Sequence, residues 1–123
     1  MIRFWQNIRV VTLASLLGIS LILAGSLVAQ EKKIVPSGPT VTVREYQFQP
    51  SQIEVRAGTA VTWVNEDDIG HTITSGTPEK PDGRFDSRLQ GKGSTFSFTF
   101  TQPGTYSYFC GRHRSMQGQV RVL

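Results

Sequence analysis

The run Thr95–Thr101 alternates strictly, with Phe96, Phe98 and Phe100 on one side and Thr95, Ser97, Thr99 and Thr101 on the other. Three phenylalanines at every second position fit a strand with one buried face, because successive side chains point to opposite faces of a pleated backbone. Such a face must be covered by a second layer. No segment after residue 30 has helical periodicity, so that layer is expected to be another sheet. Other runs agree. Thr40–Phe48 puts Val41 and Val43 on one face, and Pro50 interrupts it. Gln52–Arg56 pairs Ile53 with Val55, and Ala57-Gly58-Thr59 turns the chain. Ala60–Asn65 groups Val61 with Trp63, and His71–Ser75 groups His71, Ile73 and Ser75. Thr105–Cys110 and Gln119–Leu123 finish the chain. Residues 76–93 are rich in Gly, Pro and charge and read as a long loop with a short strand around Phe85. Short strands at regular spacing, closed by turn residues, predict an all-β chain folded as a β-sandwich.

Residues 1–29 are of another kind. Arg3 and Arg9 come without an acid, and no charge follows from Val10 to Ala29. A basic start, an apolar run and small residues read as an export signal, with cleavage after Ser26 or Ala29. The run is also long enough to span a bilayer as a helix, so an uncleaved membrane anchor is the alternative. Arg3 and Arg9 keep the N-terminus cytoplasmic, so the rest of the chain is exported either way. The expected organisation is a signal peptide or anchor over 1–29, a polar linker over 30–39 and one domain over 40–123. The formal charge of +4 loses two units when Arg3 and Arg9 are set aside. No basic stripe with interleaved aromatics remains, so nucleic-acid binding is not expected. With 123 residues and one cysteine, the chain has no room for a two-domain enzyme and cannot form a disulfide framework or a multi-cysteine metal site.

That one cysteine stands in an informative place. Tyr106-Ser-Tyr-Phe-Cys110-Gly-Arg-His113-Arg-Ser-Met116 sets Cys, His and Met at three-residue steps. Tyr106, Tyr108 and Cys110 share one strand face, and Gly111 and Gly118 bracket a polar turn. His71, the other histidine, begins a strand and shares a face with Ile73. His71, Cys110, His113 and Met116 can therefore converge at one edge of the sandwich. Thiolate and thioether are soft donors and imidazole suits copper; two His, one Cys and a long axial Met form the blue-copper electron-transfer set. Zinc prefers four strong ligands, or three plus a water, and Met is not among its usual donors. An exported free thiol is at risk of oxidation unless it is ligated or buried. Cys110 and His113 carry no sign of the orienting group or oxyanion hole that a nucleophilic pair requires. The run Glu66-Asp67-Asp68 lacks a calcium-loop pattern and reads as a solvated turn.

These residues carry a resemblance. Val61-Thr-Trp-Val-Asn65 through His71-Thr72, then Phe96-Ser-Phe-Thr-Phe, then Pro103-Gly-Thr-Tyr-Ser-Tyr-Phe-Cys110-x-x-His113-x-x-Met116-x-Gly118-x-Val120-x-Val122, is similar to the cupredoxins, nearest the small plastocyanin/amicyanin-like group. The likeness covers residues 40–123. It implies an eight-stranded Greek-key sandwich and one type 1 copper held by His71, Cys110, His113 and Met116. Many members carry Asn after the first His ligand, where it ties the two ligand loops together. Here Thr72 stands in that place, with Asn65 as the other candidate for the tie. Gly70 lets the backbone before His71 approach closely.

The resemblance implies a one-electron carrier, likewise not an enzyme, that works as a monomer with redox proteins in a periplasmic or lumen-like compartment. A copper storage or delivery protein is the alternative. Arg112 and Arg114 flank His113 and can form a basic rim that steers an acidic redox partner. The membrane enters only through residues 1–29.

Overall fold

The computed structural model describes residues 38–123. The apolar segment 1–29 and most of the 30–39 linker lie outside the described residues. Nine strands follow in order: β1 Thr40–Arg44, β2 Gln47–Gln49, β3 Gln52–Val55, β4 Thr59–Asn65, β5 His71–Gly76, β6 Pro81–Leu89, β7 Thr95–Phe100, β8 Gly104–Phe109 and β9 Gln117–Val122. They form two sheets, ordered β2-β1-β4-β7 and β3-β9-β8-β5-β6, with no helix among the described residues.

The alternation predicted for β7 sets the first sheet. β7 runs antiparallel to β4 and places Phe96 opposite Trp63 and Phe98 opposite Val61. β1 lies parallel on the other side of β4, with Val41 beside Trp63. The second sheet answers with Ile73, Tyr108 and Val120, each at most 1% exposed. Trp63 joins the layers: its ring lies 5.7 Å from Phe96 in its own sheet and 5.2 Å, edge-on, from Tyr108 in the other. Each such buried side chain contributes about 1.5–3 kcal/mol. Gly118 on β9 is required here, because a Cβ would come within 2.3 Å of the Tyr108 ring.

Three expectations are corrected. The run Thr40–Phe48 is two strands, because Glu45 and Tyr46 take left-handed backbone angles (φ 52° and 57°) and fold β2 back on β1. Two positive-φ residues make the tight turn whose twist matches a hairpin, a place usually taken by Asn or Gly. That turn also raises the strand count from eight to nine. Residues 76–93 contain a full strand, β6, rather than a loop with a short strand. β6 is an edge strand paired only with β5, and of its side chains Phe85 and Leu89 alone are buried. An edge strand facing water takes charged residues, so its composition imitates a loop.

The topology brings two distant segments to one end of the sandwich. β5 and β8 are antiparallel neighbours, with Thr74 beside Phe109. The start of β5, at His71, therefore lies next to the end of β8, from which the chain enters the 110–116 turn.

Candidate metal centre

Cys110 follows directly on β8 and is fully buried, with its thiol unpaired by any disulfide. Two backbone bonds close the turn that follows. Met116 N–H donates to the His113 carbonyl at 2.8 Å, and Cys110 N–H donates to the Met116 carbonyl at 3.0 Å. The turn thus folds back on itself and returns Met116, 2% exposed, to the core cluster that includes Cys110. His113 stays half-buried at its crest.

His71, Cys110 and His113 converge. Cys110 Sγ is 3.8 Å from Nδ1 of His71 and 3.8 Å from Nδ1 of His113, and the two Nδ1 atoms are 3.2 Å apart. A point equidistant from the corners of that triangle is about 2.1 Å from each, a metal–imidazole bond length. Two ring nitrogens facing each other beside a sulfur are a poor arrangement for neutral protein and a good one around a cation. The donor set, soft sulfur with two imidazoles, suits copper.

The His71 tautomer is set by Asp67, which is held against the ring and is not part of the solvated turn expected for Glu66-Asp67-Asp68. His71 Nε2 lies 2.8 Å from Asp67 Oδ2. A carboxylate can only accept, so Nε2 carries the proton and Nδ1 keeps its lone pair for a metal. Asp67 also accepts from the backbone N–H groups of Glu45, at 2.8 Å, and Tyr46, at 3.2 Å. Partial burial pushes its pKa up, but these two N–H groups and His71 outweigh burial and hold it below the usual carboxylate value. The left-handed turn between β1 and β2 thus aims two amides at the carboxylate that orients His71. Fully buried Asn65 shapes the same loop: its Oδ1 accepts from Asp67 N–H at 3.0 Å and its Nδ2 donates to the Ile69 carbonyl at 2.8 Å.

Thr72, not Asn65, ties the ligand segments together. Gly111 N–H donates to Thr72 Oγ1 at 2.7 Å, and Thr72 N–H points at Cys110 Sγ from 3.4 Å. Tyr46 was not anticipated either. Its ring stands edge-on to His113 at 4.9 Å and to His71 at 5.7 Å while remaining 53% exposed. His113 therefore does not meet solvent as a bare ring. Arg112 and Arg114 are exposed beside it, and Arg114 donates to the Pro78 carbonyl. Gly70 makes room for Arg112, since a Cβ there would lie 3.2 Å from its guanidinium.

One signal for Asp67 was present. A metal-binding histidine needs its second nitrogen tied, and an acid four residues earlier is within reach across a loop. Three consecutive acids hid which one it is. Tyr46 left no local trace, because it reaches the site only through the hairpin turn.

A profile described as copper binding proteins, plastocyanin/azurin family, matches residues 38–123. Amicyanin-alpha of Methylorubrum extorquens is 32% identical over 100 residues, covering 80% of this chain and 82% of that protein. Plastocyanin of Scenedesmus fuscus is 35% identical over 83 residues, covering 61% of this chain and 85% of that protein. Among solved structures, a purple cupredoxin from Nitrosopumilus maritimus superposes with a TM-score of 0.64 at 28% identity, covering 69% of this chain and 99% of that one.

Proposed function

The chain belongs to the plastocyanin/azurin family of copper-binding proteins, and from that premise we propose that it is a one-electron carrier that takes an electron from one redox protein and gives it to another outside the cytoplasm. The observation that carries this reading is the 3.8, 3.8 and 3.2 Å triangle of Cys110 Sγ and the two Nδ1 atoms. His71, Cys110 and His113 would hold one copper ion, and Met116 would add a thioether donor. Bound copper supplies a one-electron change between Cu(I) and Cu(II).

The rest follows from the protein. His71 is oriented before any metal arrives, by Asp67. Cys110 is buried and receives an N–H from Thr72, which tempers the sulfur. The sandwich beneath holds both segments in one register, so little has to move between the two oxidation states, and small rearrangement favours fast transfer. Both histidines of the sequence would be used in this one site, which would leave none for a second, catalytic copper cluster. Delivery of copper would call for a labile, open site; burial of Cys110 and Met116 favours retention.

Residues 1–29 would act as a cleaved signal or an anchor, and residues 40–123 as the exported working domain. Electrons would pass at the His113 end, where Arg112 and Arg114 would steer an acidic partner. Replacing both arginines by Glu should slow transfer with such a partner and reverse its salt dependence; a rate that ignores both changes removes the steering reading.

The primary test is a visible and EPR spectrum of the purified protein after addition of Cu(II). An intense sulfur-to-copper charge-transfer band, bleached by ascorbate and restored by oxidant, is expected, and it should vanish in Cys110→Ser. A protein that stays colourless, or a Cys110→Ser variant that keeps the band, overturns the assignment.

A further inference from the structure

Thr72 and Thr74 stand on the outer side of β5, while His71, Ile73 and Ser75 between and beside them point inward. Their hydroxyls are linked. Gly111 N–H donates to Thr72 Oγ1 at 2.7 Å, the Thr72 and Thr74 oxygens are 3.0 Å apart, and Thr74 Oγ1 donates to Asp86 Oδ1 at 2.9 Å. The register of β5 on β6 sets the last link, because Thr74 and Asp86 are directly paired.

The direction of this chain is determined. A hydroxyl has one proton to give. Thr74 gives its proton to Asp86, which can only accept. Thr72 must then give its proton to Thr74, and its lone pairs are left for Gly111 N–H. Every proton points from the ligand turn toward the surface carboxylate. Linked bonds of one sense strengthen each other. The first N–H belongs to the residue after Cys110, and Thr72 also aims its own N–H at Cys110 Sγ. Asp86 makes no hydrogen bond to any of the candidate ligands. It opens on a cleft of about 540 Å³, lined also by His71, Arg88, Gln90 and Arg112.

We propose that Asp86 is a remote positioning residue of the copper site: through Thr74 it sets the direction of the Thr72 hydroxyl, which holds the Gly111 peptide away from the sulfur and so favours the oxidised state. The inference rests on the copper reading for its effect on potential but not for the relay itself. With the relay intact, Gly111 N–H is committed to Thr72 and the sulfur keeps its donor strength. With it cut, the Thr72 proton is free to turn toward the ligand segment, and the sulfur becomes a poorer donor to Cu(II). A through-space effect of the exposed Asp86 charge would be screened by salt; the relay would not.

Two substitutions separate relay from charge. Asp86→Asn removes the charge and can donate back to Thr74, while Thr74→Val cuts the relay and keeps the charge. In the metal-free protein, hydrogen exchange at the Gly111 amide should quicken by about threefold or more in each variant, the low end of one net hydrogen bond. In the copper-loaded protein, each should raise the ratio of reduced to oxidised protein at a fixed potential by about threefold. Because both break one chain, the double variant should shift no further than either alone. Gly111 exchange that is unchanged in both variants overturns the proposal, as do shifts in potential that add in full. Loss of the copper spectrum with Gly111 exchange still responding supports the relay and defeats the electron-carrier reading instead.

Discussion

The two histidines of the centre are held in opposite ways. His71 is 1% exposed, begins a strand, and has its outer nitrogen bound to a carboxylate that is itself gripped by two backbone amides. His113 rides on a turn, is half-buried, and meets Cys110 Sγ and His71 Nδ1 on its inner edge and the Tyr46 ring on its flank. One ring is placed by the fold in advance. The other is placed by a self-closed turn and an aromatic neighbour, so a metal would complete its fixation. The difference teaches that rigidity and access are divided between two candidate ligands of the same chemical type: the buried one is fixed by the fold, and the outer one keeps contact with the surface.

The largest effect should come from deleting each ring in turn. His71→Gly opens a hole in the core end and leaves Asp67 without its partner, at about 2–4 kcal/mol. His113→Gly opens a hole near the surface. Added imidazole should restore the charge-transfer band to His113→Gly and not to His71→Gly. Equal rescue of both would erase the distinction.

A smaller effect should follow from loosening the inner ring alone. Asp67→Asn keeps the shape but weakens the hold on His71, and copper affinity should fall about 10–100-fold. Asp67 also carries a pH signature in the metal-free protein. Its folded pKa lies below the unfolded value of 3.8, so its stabilisation is fully present above that value and is lost as pH falls through the lowered one. Urea unfolding in acid should therefore show a shallower loss of stability in Asp67→Asn than in the parent. Identical acid limbs would remove Asp67 from the account of His71.

The smallest effect should come from uncovering the outer ring. Tyr46→Leu gives up an edge-on aromatic contact, about 0.5–1.5 kcal/mol. The spectrum should persist while loss of copper to a chelator quickens by about threefold to tenfold. An unchanged rate would mean that Tyr46 shields nothing.

Those pairs also mark what could be read from residues alone. The three-residue steps of Cys110, His113 and Met116 and the phenylalanine alternation of β7 are local patterns, and local patterns survive in a linear string. The Thr72 tie was legible only through the family resemblance, and there Asn65 stood beside it as the alternative. The misses were long-range or ambiguous. β6 read as a loop because its outer face obeys the solvent. Asp67 read as a surface charge because its donors lie at Glu45 and Tyr46, more than twenty positions away. The left-handed angles of Glu45 and Tyr46 had no glycine or asparagine to announce them. In each case tertiary partners, not propensity, decided the outcome.

His71 and Cys110 are 39 positions apart in the chain, and they meet only because β5 lies against β8. A nascent chain therefore offers no complete binding site. The Cys110–Met116 segment can capture an ion early, but the second imidazole arrives only when the sheet has closed. Closure of the sheet, not the Cys110–Met116 turn alone, completes the donor set. Closing the sheet also buries Cys110, so the event that assembles the donors is the one that shields the thiol.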